Sequence, residues 1–481
     1  MTLKRILPVT IIALGIILRL QNFHLLPIDA HAMRQTDTES VAYNFAFREH
    51  NFLLPQNSLI RPITNTQSYF FLEVPAYQYI IGFFYMLFGW HIELAHLINL
   101  LLYIIASYCL YYFVESYIRE TVAVWSVFFF SFAPASIFFI GHAIHPDVFA
   151  VATLAASLAL YIKWKKSNNV VIFILSVLSL ALSTGTRPFV IIVLPAWLFL
   201  AWSLDAFIWE YPAMVIGPFT LYGLWKLWQA RFKKAGTYWE NWVLYGQENL
   251  FKKEFLVETL IIKNIVGEVV GKVISVFSAL GIVSLLIRAN RTSIFLLLWL
   301  IGVPVFWYFA PNGNIYHQYY ADVYLIPLIL LAACGTVYLL ESISKKVRSL
   351  SLILVIIIVI LTVYNGYHTS QYFFTKLTPF DQLKIADEIN KKIPFNARLV
   401  YLAKLNSIPF SLYHRKGWML SIEPVDASAT ASSVLRLQKY GADYIVYGKT
   451  NNDMPADQMA IIASATNLVY ESDWVKIYKY R

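Results

Sequence analysis

The side chains that could do chemistry are acids, histidines, arginines and tyrosines in short polar segments between long apolar runs. The acids that could act as catalytic groups are Asp29, Asp37 and Asp147. The side chains that could bind a substrate are Arg34, Gln35, His142, His145, Arg187, His317, Tyr319 and Tyr320. A carboxylate can take the proton of an acceptor hydroxyl, and an arginine fork matches the oxygens of a phosphate. Together these groups suit transfer of a sugar from a lipid phosphate to a hydroxyl.

Each of these signals also has a structural explanation. Asp29 precedes a predicted surface helix, where an acid stabilises the helix N-terminus, and Asp147 could cap the helix that follows it. Arg187 could extend toward water along the end of a span, and tyrosines at this depth often only anchor a protein at the membrane interface. Two histidines with Asp147 could hold a divalent metal ion, but no further ligand is visible. The sequence therefore indicates no metal site and no cofactor.

The composition indicates a membrane protein. The chain has 481 residues, of which 58% are hydrophobic and only 14% are charged, whereas a soluble domain has about 25% charged residues. Lysines and arginines are scattered between apolar runs and form no stripe, so nucleic acid is not a predicted partner. The two cysteines, Cys109 and Cys334, lie in apolar segments and give no disulfide framework. Membrane lipids are the partners that this composition predicts.

Twelve apolar segments approach the ~20 residues that a helix needs to cross a bilayer. They cover residues 6–23, 74–90, 94–114, 121–140, 148–164, 170–184, 188–204, 207–228, 265–287, 293–310, 319–340 and 350–367. The first has no small-residue cleavage site after it, so we interpret it as a retained span. Basic residues lie at the N-terminus and in the loops around 163–166, 288–291 and 345–348, which the positive-inside rule places in the cytoplasm.

All four basic regions share one side only if one segment before residue 163 does not cross. Segment 74–90 is the best candidate, because it is short and rich in Tyr and Phe, as an interfacial or re-entrant helix would be. The sequence thus predicts about eleven spans, a cytoplasmic N-terminus and an extracytoplasmic C-terminus. The first loop 24–73, the loops 141–147, 229–264 and 311–318, and the tail would then share the outer face.

The predicted domains are a transmembrane catalytic domain at 1–368 and a soluble extracytoplasmic α/β domain at 369–481. In the tail, the spacing of apolar residues predicts a helix over 380–392, which Pro394 ends. Short apolar runs predict buried strands at 397–403 and 442–447. Between them we expect a helix at 432–440, and at the end a hairpin over 468–480. The tail has no Gly-rich phosphate loop, so we assign it acceptor recognition or structural capping.

Three outer-face motifs resemble those of GT-C membrane glycosyltransferases, specifically the protein O-mannosyltransferase and aminoarabinose transferase group. The motifs are Arg34-Gln35-Thr36-Asp37-Thr38 with Asn51-Phe-Leu-Leu-Pro55, then His145-Pro-Asp147, then His317-Gln-Tyr319-Tyr320 followed by Pro327. The resemblance implies an all-α polytopic GT-C-like fold with surface helices. It also implies a polyprenyl-phosphate sugar donor, a lipid, glycan or protein acceptor, and inverting transfer at the outer face.

The family's usual Asp-Glu pair in the first loop is absent, because Asp29 is followed by Ala30. Asp29 and Asp37 therefore both remain candidates for the general base, and the position of Asp29 between the first span and the surface helix favours it. A secondary transporter or lipid flippase is the alternative function, since Glu210 and Lys226 lie in or near one span. A structural partner in an envelope assembly is a third interpretation.

Overall fold

The computed structural model describes residues 3–60, 69–232, 250, 252, 254–311, 313, 317–345, 347–378, 380–403, 414–421, 431–449 and 455–481. About half of the predicted outer loop 229–264 falls outside these residues, and its end, from residue 254, is helical instead of forming a loop. By its internal contacts the chain forms two compact units. The helical unit comprises Met1–Phe23, Ala95–Leu227 and Trp239–Thr375, and the α/β unit comprises His24–Leu94, Trp228–Tyr238 and Lys376–Arg481. The predicted functional domains, 1–368 and 369–481, stay a prediction.

Helices dominate the described chain. They are α1 (Leu3–Arg19), α2 (Ala32–Phe47), α3 (Ala76–Phe88), α4 (Ile92–Tyr117), α5 (Glu120–Phe132), α6 (Pro134–Phe139), α7 (Asp147–Ser167), α8 (Val170–Thr186), α9 (Leu194–Ser203), α10 (Glu210–Ala230), α11 (Lys272–Arg288), α12 (Arg291–Phe309), α13 (Asp322–Ser344), α14 (Arg348–Thr375), α15 (Phe380–Lys392), α16 (Ala431–Arg436) and α17 (Ala456–Ala465). Short 3-10 helices cover Pro188–Val193, Gln318–Ala321 and Leu437–Tyr440, and a π-helix covers Glu254–Val269.

Five helices of the described chain are long and apolar enough to cross a membrane, namely α4, α7, α12, the Tyr324–Ser344 part of α13, and α14. The π-helix and α11 meet at 115° and would add a sixth span if they act as one. The chain is therefore an integral membrane protein, as predicted, whereas the count of eleven spans stays a prediction. The remaining apolar helices are shorter. Segment 121–140, for example, divides at Ala133, because a residue before proline avoids helical geometry.

Segment 74–90, predicted to lie at the interface, contains the short helix α3. Its 13 residues would span only about 20 Å, less than the roughly 30 Å of the hydrocarbon core. It packs closely on α2 through Gly82, where an added Cβ atom would lie 2.7 Å from the carbonyl oxygen of Ala42. The interfacial or re-entrant position of this helix stays a prediction.

The α/β unit contains a five-stranded sheet in the order β2-β1-β3-β5-β4. Its strands are β1 (Leu399–Ala403), β2 (Gly417–Ser421), β3 (Tyr444–Gly448), β4 (Thr466–Glu471) and β5 (Val475–Tyr480). Strands β2 and β3 run parallel to β1, while β5 is antiparallel to both β3 and β4.

The predicted α/β character of the tail is confirmed. Helix α15, strands β1 and β3 and the closing hairpin β4–β5 lie where the sequence predicts them, and the predicted helix 432–440 is α16 continued by a 3-10 turn. Strand β2 and helix α17 were not predicted. The first loop also joins this unit, since the backbone N–H of Ile60 donates to the carbonyl of Gly417 at 2.7 Å.

Candidate active site

Asp147 and Arg187 form a buried ion pair inside the helical unit. Asp147 begins α7, and Arg187 follows α8 directly because Pro188 disfavours helical geometry at the residue before it. The Nε of Arg187 donates to Oδ1 of Asp147 at 2.6 Å, and its Nη2 donates to Oδ2. The side chain of Arg187 is only 9% exposed and that of Asp147 only 1%. This forked geometry holds the guanidinium plane in one orientation.

Aromatic and histidine side chains surround this ion pair. The Cζ of Arg187 lies 5.5 Å from the ring centre of Tyr319 and 5.6 Å from that of Tyr320, within cation–π range. The Nδ1 of His145 lies 3.4 Å from Oδ2 of Asp147, and the ring of His317 stacks on Tyr319 at 5.0 Å. The structure thus brings together a set that we call the ion-pair cluster: Asp147, Arg187, His145, His317, Tyr319 and Tyr320.

An apolar cavity of about 310 Å³ lies beside the ion-pair cluster. Its lining includes Pro188, the residue after Arg187, and Phe189, whose ring centre is 6.1 Å from that of Tyr320. Phe306 packs against Phe189, with 4.5 Å between the ring centres. The arrangement places buried charge next to an apolar space.

His142, also predicted to bind substrate, stacks on His96 of α4 with ring centres 4.7 Å apart. Asn99 of α4 donates to the carbonyl oxygens of His142 and Ala143 at 3.0 and 2.8 Å. These bonds hold the backbone of the loop that leads to Asp147. The structure thus shows His142 in contact with α4, within the loop that precedes Asp147.

Asp29 lies in the α/β unit, just before α2, and is 3% exposed. His31 adopts a left-handed conformation (φ 59°) at the start of α2, which turns the chain so that Gln35 faces back toward Asp29. The Nε2 of Gln35 donates to Oδ1 of Asp29 at 2.5 Å and to the carbonyl of Ala30 at 2.9 Å. Gln35 is therefore in direct contact with a candidate base.

Arg34 and Glu73 form a second buried ion pair, within the α/β unit. The Nη2 of Arg34 donates to both carboxylate oxygens of Glu73 at 2.6 Å, and Gln78 donates to Oε1 of Glu73 at 2.6 Å. Glu73 was not predicted as a site residue. Its only local signal is its place before Pro75 and α3, and its partner Arg34 lies in a distant part of the sequence.

Asp37 occupies a different environment from Asp29. It lies within α2, is half-buried, and accepts a hydrogen bond from Nδ2 of Asn57 at 2.7 Å. Both candidate bases are thus held by a neutral amide, but Asp29 is the more deeply buried of the two.

Glu39, which the sequence did not predict as a site residue, lies in a buried cluster that also belongs to the α/β unit. Oε1 of Glu39 accepts from Nε1 of Trp90 at 2.6 Å and lies 3.5 Å from Nε2 of His414. Tyr43 stacks on His414 at 3.6 Å, and Arg48 donates to the carbonyl of His414 at 2.6 Å. Burial raises the pKa of Glu39 to about 8, and burial, with the charge of Arg48, lowers the pKa of His414 well below its usual value.

These opposite shifts predict a pH dependence of stability. A raised carboxyl pKa makes the folded protein lose stability from the unfolded pKa, about 4.5, up to about 8. A lowered histidine pKa makes stability rise with pH up to the unfolded value of 6.5. The two effects oppose each other below pH 6.5, so the cluster should destabilise the protein mainly between pH 6.5 and 8. We expect the unfolding temperature of the purified protein to fall across that window.

Two variants check this assignment. Glu39→Gln should remove the fall between pH 6.5 and 8, because no proton is then lost there. His414→Phe should extend the fall down to about pH 4.5, because nothing then opposes Glu39. An unfolding temperature whose pH profile is the same in Glu39→Gln as in the native chain would contradict the prediction.

Glu210, which supported the transporter alternative, is buried at the start of α10. Tyr161 donates to its Oε2 at 2.7 Å, and Lys165 lies 3.2 Å from its Oε1. Lys165 belongs to one of the basic loops predicted to be cytoplasmic. The carboxylate of Glu210 is therefore paired with a cation at the predicted cytoplasmic end of the helices. In the part of the chain that the structure describes, no three His, Cys, Asp or Glu side chains are grouped to hold a metal ion.

Fold and site together define a polytopic membrane protein with buried ion pairs and an apolar cavity. Residues 73–225 match the model of a family described as dolichyl-phosphate-mannose-protein mannosyltransferase. No curated protein matches the chain significantly in sequence.

Solved structures match nearly the whole chain. ArnT from Cupriavidus metallidurans bound to undecaprenyl phosphate is similar with a TM-score of 0.67 and 12% identity, over 98% of this chain and 97% of that one. The oligosaccharyltransferase of Archaeoglobus fulgidus is similar with a TM-score of 0.60 and 13% identity, over 98% and 73%. Both are GT-C glycosyltransferases. The predicted resemblance to the GT-C class is therefore confirmed, and the chain has the fold of that class.

Proposed function

We propose that the protein is a glycosyltransferase that moves a sugar from a polyprenyl-phosphate donor to a hydroxyl acceptor at the outer face of the membrane. The ion-pair cluster beside an apolar cavity carries this proposal. A lipid-phosphate donor has a charged head joined to a hydrocarbon chain, and the helical unit offers a site for each. The match to an enzyme solved with undecaprenyl phosphate supports the same donor class.

Arg187 is the group that we assign to the donor phosphate. Asp147 accepts from its Nε and Nη2, and these two bonds hold the guanidinium in a fixed plane. His317, stacked on Tyr319, would donate a further hydrogen bond to the phosphate. His145 and Tyr320 line the same cluster, and the cavity beside Phe189 would take the first units of the lipid chain.

Asp29 is the base that we propose for the acceptor. It would take the proton of the acceptor hydroxyl while the hydroxyl oxygen bonds to the anomeric carbon of the sugar. The bond from that carbon to the phosphate oxygen would break, and polyprenyl phosphate would leave with the bonding electrons. One such displacement inverts the anomeric centre. Arg34, held by Glu73, is a further cation that we assign to the negative charge that develops on the departing phosphate.

The membrane orientation belongs to the same proposal. The N-terminus would be cytoplasmic, and the soluble domain at 369–481 would lie outside, where it would recognise the acceptor. A lipid, a glycan or a protein could each supply the hydroxyl.

The direct test is donor consumption by the full chain in lipid nanodiscs. The probes are undecaprenyl phosphates that carry mannose, glucose or aminoarabinose, each offered with a total envelope extract as acceptor source. We expect mass spectrometry to show release of free undecaprenyl phosphate with at least one donor, and loss of that release in Arg187→Ala. No release with any donor would overturn the proposal and favour a transporter.

A further inference from the structure

Arg19 is a buried charge that the proposed function does not use. It ends α1 and is 0% exposed. Among the residues that the structure describes, no carboxylate forms an ion pair with its guanidinium. Burying an unpaired charge is costly, and charged residues within membrane helices usually serve a function. An apolar side chain would fill the same space at lower cost, so the contacts of Arg19 need an explanation.

The guanidinium of Arg19 makes a specific set of contacts. Its Nη1 donates to the carbonyl oxygens of Gly15 at 2.8 Å and Ser131 at 3.1 Å, and its Nη2 donates to Oγ of Ser136 at 2.9 Å. Its Cζ lies 3.7 Å from the ring centre of Tyr103. Tyr103 in turn donates to Oγ of Ser131 at 2.7 Å. Arg19 therefore connects α1 with two residues on opposite sides of a helix break.

The break lies between α5 and α6, at Ala133. That residue is extended (φ −66°, ψ 134°) because Pro134 follows it. The carbonyl of Ser131 is among the last of α5 and has no continuing helix to bond to. Arg19 supplies a donor to it and a positive charge at the negative end of the α5 dipole. The second bond, to Ser136, holds α6 from the other side.

Helix α6 leads directly into the loop that delivers Asp147. In that loop, an added Cβ atom on Gly141 would overlap Cδ and Nε of Arg19. The Arg19 side chain therefore lies against the loop backbone where the loop begins. A shift of Arg19 would displace Gly141, and with it the path of the chain to Asp147.

We propose that Arg19 is a positioning residue, which fixes the break between α5 and α6 and the path of loop 141–146, and so aims Asp147 at Arg187. The structural part of this inference stands on the contacts of Arg19 alone. Its effect on rate rests on the proposed glycosyl transfer. Arg19 does not touch the donor or the acceptor in this scheme.

The test combines loop dynamics with kinetics in the full chain. In Arg19→Met, we expect amide exchange of 141–146 in nanodiscs to rise at least about tenfold, which corresponds to losing roughly one hydrogen bond of local stability. We expect kcat/KM for the donor to fall about tenfold or more, because Arg187, which we assign to the donor phosphate, then loses the orientation that Asp147 gives it. Unchanged exchange in 141–146 would overturn the inference.

Two further variants separate positioning from general damage. Gly141→Ala should raise loop exchange in the native background but add nothing in Arg19→Ala, since the overlap then disappears. Gln21→Ala is the matched control, because Gln21 bonds to Gln371 near the same end of α1 without touching the break; it should leave 141–146 unchanged. Native protein without any transfer would refute the proposed function, while the exchange data would still decide the role of Arg19.

Discussion

Replacing Arg187 with methionine is expected to abolish sugar transfer and to destabilise the protein by about 3–5 kcal/mol, the cost of leaving a buried charge without its partner. Asp147 is 1% exposed and would lose the guanidinium that donates to both of its oxygens. Nearby His145, at 3.4 Å, cannot replace a forked donor. Thermal unfolding in nanodiscs and the undecaprenyl phosphate release assay measure the two effects.

The double variant Asp147→Leu/Arg187→Met separates stability from function. Removing both charges should recover most of the lost stability, since no buried charge remains unpaired. Transfer should stay absent, because the guanidinium of Arg187 is no longer there to bind the donor phosphate. Arg119→Met is the matched control: Arg119 pairs with Glu341 at 2.5 Å, but both are about 40% exposed, so we expect a change of at most about 1 kcal/mol. If the double variant still transfers sugar, the ion pair is not part of the active site.

The sequence could name Asp147 and Arg187 but could not pair them. Each lies at a helix end that a local signal marks, an acid at the start of α7 and Pro188 after α8. Their contact depends on the way α7 packs on α8, which no local pattern encodes. The same holds for Tyr319, which lies against His145 through the packing of distant segments and carries His317 stacked on its ring. Local patterns, by contrast, were sufficient for α15, which apolar spacing predicts, and for strands β1 and β3, which short apolar runs predict.

The groups that the sequence missed share one property, which is burial through distant partners. Arg19 lies inside an apolar run, and its contacts with Ser131 and Ser136 become visible only when α1 meets the helix break. Glu39 looks like one more acid of a surface helix until His414 is placed beside it. A polar residue in an apolar segment is the signal that could have found Arg19. For Glu39 no comparable local signal exists.

Asp29→Asn is expected to lower kcat by roughly 10²–10⁴-fold, the usual contribution of a general base. An asparagine cannot take the acceptor proton, but its Oδ1 can still accept from Nε2 of Gln35, as the carboxylate does at 2.5 Å. The fold and the KM for the donor should therefore change little. Release of undecaprenyl phosphate, measured at saturating donor, reports kcat, and the unfolding temperature reports the fold.

Asp37→Asn decides between the two candidate bases. Asp37 also accepts from a neutral amide, that of Asn57 at 2.7 Å, and each of the two substitutions removes one negative charge. We expect Asp37→Asn to retain activity within a few fold, because Asp37 lies within α2 while Asp29 lies in the buried turn before it. The reverse result, with Asp29→Asn active and Asp37→Asn inactive, would identify Asp37 as the base. Full activity in both would mean that neither acid takes the proton.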